Sequence, residues 1–342
     1  MRSASLCGME LHNPVISRAA RATGLALAAG LLLACADGAA RGSSAPSSDD
    51  AKSANSSASP FDAQRAWKHL EALVALGPRP AGSGAAAATV DYLEKELRAI
   101  GLAPVRESFI ARATPIGDLP MCNLYVDLPA KGPDADKAPL VILGSHFDTK
   151  RFEQFRFVGA NDGGSSTAVL LELARVLHAQ GPQRVAYRLL FIDGEEAIRA
   201  HWQDPDNRYG SRHHAEQIRV SGLVARTKAF VLLDLVGDKD LRIERDQYSD
   251  AWLYECFAAP ARAAGLGKHV DGRREPIADD HVSFLEIGVP SVDLIDFRYG
   301  PGNSWWHSAE DTLDKCSANS LGVIGAIVLG GLPNVERRVV GK

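Results

Sequence analysis

Three carboxylates crowd the end of an apolar run. Residues 187–196 read Tyr-Arg-Leu-Leu-Phe-Ile-Asp-Gly-Glu-Glu, so Asp193, Glu195 and Glu196 follow directly on Leu189 to Ile192. Like charges this close repel unless a cation or a proton compensates them. Adjacent glutamates also suit a division of labour, one binding a metal and the other moving protons. A solvated acidic turn after a strand explains the doublet equally well, and the rest of the chain decides between the two. Asp162 stands in Gly159-Ala-Asn-Asp-Gly-Gly, a turn ahead of a long apolar helix, where it is either a helix cap or a ligand. His307 lies in the polar, aromatic-rich segment Trp305-Trp306-His307-Ser308-Ala309-Glu310-Asp311-Thr312, with Asp311 near enough in sequence to orient its imidazole. Two carboxylates, one histidine and an open fourth position make a catalytic zinc site. Asp162, Glu196 and His307 supply that set.

The elements that must position these residues follow from periodicity. Helical spacing runs over Phe61 to Leu76, Ala85 to Ile100, Ser165 to His178 and, at the end, Ala318 to Leu332. Four short apolar runs, Leu140 to Leu143, Leu189 to Ile192, Phe230 to Leu233 and Val292 to Ile295, read as buried strands. Strands of this kind separated by helices indicate an α/β fold, a mixed but mainly parallel central sheet with helices on both faces. Such sheets place ligands outside the carboxyl ends of their strands. Here that edge carries His146 and Asp148 after the first run and Glu195 and Glu196 after the second. Asp234 ends the third run and Asp293 lies within the fourth. His213 and His214 read as part of a solvated helix, the arginines near 273 and 337 as exposed faces, and Trp252 and Tyr254 as helix packing.

With 342 residues, 46% of them hydrophobic, the chain can bury a large core. A net charge of −4, with charges of both signs mixed throughout, excludes a basic nucleic-acid footprint. Arg18 and Arg21 precede the apolar stretch Leu25 to Cys35, whose ending Leu-Leu-Ala-Cys resembles a bacterial lipobox with Cys35 as the lipidated residue. A plain secretory signal with an incidental cysteine suits the same residues, and Met9 offers an alternative start. Both readings export the protein. The expected organisation is a signal peptide over 1–35, a Ser/Ala-rich tether over 36–60 and one catalytic domain over 61–342. The product is expected to be a monomer held on the periplasmic side, touching the membrane through its lipid alone. Cys122, Cys256 and Cys316 remain after processing, and no disulfide pairing among them is fixed by the sequence.

Taken in order, six motifs carry a family resemblance: Ser145-His-Phe-Asp-Thr-Lys150, Val158-Gly-Ala-Asn-Asp162, Phe191-Ile-Asp-Gly-Glu-Glu196, Leu232-Leu-Asp-Leu-Val-Gly237, Asp279-Asp-His-Val-Ser-Phe-Leu285 and Trp306-His307. With them, from Leu76-Gly-Pro-Arg-Pro to Thr312, the chain resembles the M28 zinc peptidases and, within that clan, the glutaminyl cyclases. The resemblance implies a zinc aminopeptidase-like fold and zinc held by Asp162, Glu196 and His307. It also implies Glu195 as acid/base in a network with Asp234 and Asp279, and Trp202 and Trp306 flanking the pocket. The implied activity converts the N-terminal glutamine of peptides or proteins to pyroglutamate with release of ammonia, using one zinc ion. Three departures stand out. Asp293 replaces a histidine of the animal enzymes in the pocket network, Trp202 sits one residue further from the glutamates, and the animal disulfide near the zinc aspartate is missing. The first alternative is a two-zinc aminopeptidase, with His146 and Asp234 completing a second site that shares Asp162. The second is a surface-anchored binding lipoprotein without catalysis, for which Glu195 has no use.

Overall fold

A computed structural model of the chain describes residues 60–341. Cys35, the expected signal peptide and nearly all of the expected tether lie outside those residues.

The chain opens with two helices, α1 (Ala63–Ala75) and α2 (Gly84–Ala99). Asp62 caps the first by accepting from the backbone N–H groups of Gln64 and Arg65, and Ser83 caps the second through Ala86. Then come β1 (Val105–Thr114), β2 (Gly117–Leu128), β3 (Leu140–His146), α3 (Ser166–Gln180), β4 (Ala186–Ile192), α4 (Tyr209–Val220) and β5 (Thr227–Asp234). After the two-residue β6 (Arg245–Asp246) follow α5 (Ala251–Ala263), β7 (Arg274–Glu275), α6 (Asp280–Leu285), β8 (Ser291–Ile295) and α7 (Ala318–Val340). The last helix runs eight residues beyond Leu332, because its apolar positions continue past Pro333 to pack Val335 in the core.

Six strands form the sheet in the order β1-β2-β4-β3-β5-β8. β3 pairs in parallel with β4 and β5, and β5 with β8, whereas β1, β2 and β4 pair antiparallel. The parallel strands are buried along almost their whole length, as strands covered on both faces must be. The helices α1, α2, α3, α5 and α7 supply the larger core on one face. On the other, α4 and α6 cover a smaller core that includes Ile142, Leu190, Phe230 and Leu232. The chain passes from β3 to its neighbour β4, then crosses to β5 on the far side of β3. That reversal opens a crevice beyond the carboxyl ends of these three strands.

Candidate active site

Asp162, Glu196 and His307 meet in this crevice, with one donor atom of each within 4.8 Å of the others. His307 Nε2 lies 2.9 Å from Glu196 Oε1 and 3.3 Å from Asp162 Oδ2. Asp162 Oδ2 and Glu196 Oε2 are buried with no hydrogen-bond donor. Orphaned carboxylate oxygens beside an imidazole are a costly arrangement for a protein alone and a fitting one for a cation. Two oxygens and one nitrogen at these separations suit zinc with a position left open. His307 has a left-handed backbone, φ 51°, unusual for a residue other than glycine. Its ring stacks on Trp306 at 3.9 Å and meets the edges of Phe152 and Phe157 at 5.9 Å each. The unfavourable backbone is thus held by packing on three sides.

Two buried acids hold the ligand-bearing backbone. Asp148, after β3, accepts from the N–H groups of Glu195 (3.0 Å) and Glu196 (3.2 Å). Asp311 accepts from the N–H groups of Asn161 (2.7 Å) and Asp162 (3.1 Å) and from the Tyr299 hydroxyl (2.9 Å). This corrects the expectation that Asp311 orients His307, since its oxygens are directed at the Asp162 loop instead. Nor is Asp162 a helix cap: α3 begins at Ser166, and the aspartate has extended ψ within the preceding turn. Gly163 is required beside it, because a Cβ there would stand 2.6 Å from the Asp148 carbonyl and 3.0 Å from the His146 ring. Arg79, wholly buried, donates to the carbonyls of Phe147, Val158 and Gly159 and fixes the entry to the same turn. Its Leu-Gly-Pro-Arg-Pro setting was visible in the sequence, but its partners lie about seventy to eighty positions away.

A second triad, His146, Asp162 and Asp234, lies one layer deeper. His146 Nε2 stands 3.0 Å from Asp234 Oδ1 and 3.4 Å from Asp162 Oδ1. Its Nδ1 stands 3.6 Å from Asp148 and 3.8 Å from Glu195. Burial alone would lower the pKa of this imidazole, but Glu195 and Asp234 raise it well above its usual value. Glu195 is buried, and that burial, with Glu196, Asp279 and Asp280 nearby, pushes its carboxyl well above the usual range, while His146 pulls it back. The expected partner Asp234 is paired with His146 instead. For Asp279, burial and Asp234 push the pKa up to about 6.

The cavity over the outer triad has a volume of ≈ 250 Å³. Trp202 and Trp306 are among its walls, with Ile277, Ile295 and Phe297, and Glu195, Asp234 and Asp279 lie along its polar side. Lys150, passed over as a site residue in the sequence, also lines it, donating to the Ala197 carbonyl (2.7 Å) with Glu196 Oε2 at 3.6 Å. Asp293 is not a wall. It precedes Ile295 by two residues on the same face of β8, which sets it about 6–7 Å further from the strand's end. Asp193 accepts from the Cys122 N–H and serves the turn. His214 is not solvated: it is buried, with Nδ1 2.9 Å from Glu107. Cys122, Cys256 and Cys316 are free thiols.

Residues 123–331 match the pattern of peptidase family M28, and the chain belongs to that family. Its relatives narrow the class. It is 32% identical over 281 residues to a glutaminyl-peptide cyclotransferase-like protein of Mus musculus, covering 74% of this chain and 70% of that one. The crystal structure of an Acidobacteriales bacterium glutaminyl cyclase is similar with a TM-score of 0.77 and 36% identity, over 83% of this chain and 98% of that one. A Zn-dependent exopeptidase from Parabacteroides distasonis is similar with a TM-score of 0.69 and 25% identity, over 79% of this chain and 97% of that one. Family and triad together point to zinc.

Proposed function

We propose that this chain is a glutaminyl-peptide cyclotransferase working with one zinc ion. The observation that carries the reading is the small cavity, walled by indoles, over a single open triad with an unliganded glutamate beside it. A compact side chain such as glutamine suits that volume. When bound by Asp162, Glu196 and His307, zinc supplies a Lewis acid for the substrate's side-chain carbonyl. Trp202 and Trp306 hold the glutamine and exclude water, which favours closure by the substrate's own α-amine over hydrolysis. Glu195 accepts a proton from that amine as the new C–N bond forms. It returns the proton to the departing amide nitrogen as the old C–N bond breaks, giving a five-membered lactam and ammonia. The raised pKa of Glu195 suits both halves of this exchange. Asp279 stands in the acid network beside it, while Asp234 is tied to His146, whose other nitrogen faces Glu195.

One observation favours a second reading, a two-zinc aminopeptidase: His146, Asp162 and Asp234 also converge. Purified protein with a Gln-initiated and a Leu-initiated peptide separates the two. Cyclisation is expected to release ammonia from the first, a mass loss of about 17 Da in an intramolecular displacement. Free leucine from the second defeats the proposal. We also infer export and a lipid anchor on Cys35, supported by the basic start, the short apolar stretch and the lipobox. Labelling with radioactive palmitate, lost in Cys35→Ala, is the expected result; unlabelled wild-type protein contradicts it.

A further inference from the structure

Trp202 stands on the wall of the cavity, yet the stretch that carries it has few bonds of its own. Residues 199–205 are exposed apart from the half-buried Trp202. Among the described residues, no hydrogen bond reaches Ala200, His201 or Trp202 through backbone or side chain. An exposed loop of this kind opens at little cost unless its ends are held. Here the ends meet at one side chain. Asp206, buried at the foot of the loop, accepts from the Ile198 N–H at 3.0 Å through Oδ1 and from the Arg199 N–H at 2.9 Å through Oδ2. Oδ1 also accepts from the Tyr209 hydroxyl at 2.6 Å, and the Asp206 N–H donates to the Gln203 carbonyl at 2.9 Å. Carboxylates make strong hydrogen bonds to amides, and two successive amides on one carboxylate set the direction of the chain that carries them.

The downstream end of the loop has a second fastening. Arg208, a side chain only 3% exposed, donates to both oxygens of Asp204 at 3.1 Å and to the Ser283 hydroxyl of α6 at 3.3 Å. Between Ile198 and Trp202, by contrast, Asp206 is the one hydrogen-bond partner among the described residues. The same foot grips the acid/base turn. The Arg208 N–H donates to the Glu195 carbonyl and the Tyr209 N–H to the Gly194 carbonyl, each at 2.7 Å. Gly210 permits this close approach, since a Cβ there would stand 2.1 Å from the Asp193 carbonyl oxygen.

We propose that Asp206, its carboxylate oriented by the Tyr209 hydroxyl, is the latch that closes the 198–205 loop and holds Trp202 over the cavity. It fastens that wall to the same 206–210 segment that holds Glu195. Asp206 is a positioning residue, and its bearing on turnover rests on this cavity being the cyclising one. Its loss frees the wall but leaves the backbone bonds from Arg208 and Tyr209 to the Glu195 turn. The effect therefore falls on binding of the glutamine more than on the chemical step.

The test incorporates fluorotryptophan into the protein and follows the indoles by fluorine NMR, with Trp202 assigned by loss of its signal in Trp202→Phe. In Asp206→Asn the side chain offers one oxygen, so it satisfies one of the two amides and turns an NH2 on the other. The Trp202 signal is expected to shift or broaden while those of Trp67 on α1 and Trp252 on α5 stay in place. With the Gln-initiated peptide, the same variant is expected to raise KM about tenfold, to lower kcat by no more than about threefold and to keep its zinc. An unmoved Trp202 signal overturns the latch, as does a fall in kcat with KM unchanged. Should Asp206→Asn fail to fold, Tyr209→Phe removes one of the three bonds to the carboxylate, and an unmoved Trp202 signal there overturns the proposal. If the wild-type protein does not cyclise the peptide, the functional reading fails while the fluorine signal still decides the latch.

Discussion

Asp162 belongs to two triads, and the contrast between them lies in access and in what already neutralises them. The outer one, with Glu196 and His307, borders the cavity, keeps two orphaned carboxylate oxygens and has a histidine side chain 18% exposed. The inner one, with Asp234, depends on His146, a side chain only 1% exposed that does not reach the cavity. Four carboxylates, of Asp148, Asp162, Glu195 and Asp234, stand within 4.0 Å of that imidazole. A buried anionic cluster needs a positive charge, and a protonated histidine serves as well as a metal ion. The inner triad already holds its cation. The outer one has His307 and Lys150 beside its two acids but borders the cavity, where a metal ion from solution can reach it.

The variants that break this contrast can be ordered by expected effect. His307→Ala is expected to abolish zinc retention and turnover, whereas His146→Ala leaves zinc bound; metal analysis of both proteins after dialysis checks this. Glu195→Gln keeps the charge-free shape of the acid and all three ligands, so zinc stays while kcat falls by on the order of 10³. Steady-state kinetics on the metal-loaded variant measures the loss. Asp311→Asn disturbs the amides of Asn161 and Asp162 that the acid now receives, and is expected to weaken zinc by about tenfold to a hundredfold, read by chelator competition. Trp306→Ala removes one wall and the stacking partner of His307, raising KM for a Gln-initiated peptide by about tenfold with a smaller effect on kcat.

The parallel strands and the ligand candidates were legible because both are local. Strands buried on both faces read as unbroken apolar runs; Glu196 follows such a run closely, Asp162 stands in a glycine turn ahead of a helix, and His307 lies in an aromatic loop. The β1–β2 hairpin was missed for the opposite reason. β1 is largely exposed and mixes Arg106, Glu107 and Arg112 with its apolar residues, while Pro120 interrupts β2 at a position that pairs only with the edge strand. The supporting roles of Arg79, Asp148 and Asp311 were also hidden, since each bonds backbone 47 or more positions away and such contacts leave no pattern in sequence. Asp293 was misplaced for a related reason: residue type says that an acid sits on a strand, but only register says how deep.

The number of zinc ions per chain tests the one-metal account most directly. Elemental analysis of purified, dialysed protein is expected to give one zinc per chain, lost in His307→Ala and retained in His146→Ala. Two zinc ions per chain, falling to one in His146→Ala, would contradict it and favour the aminopeptidase reading.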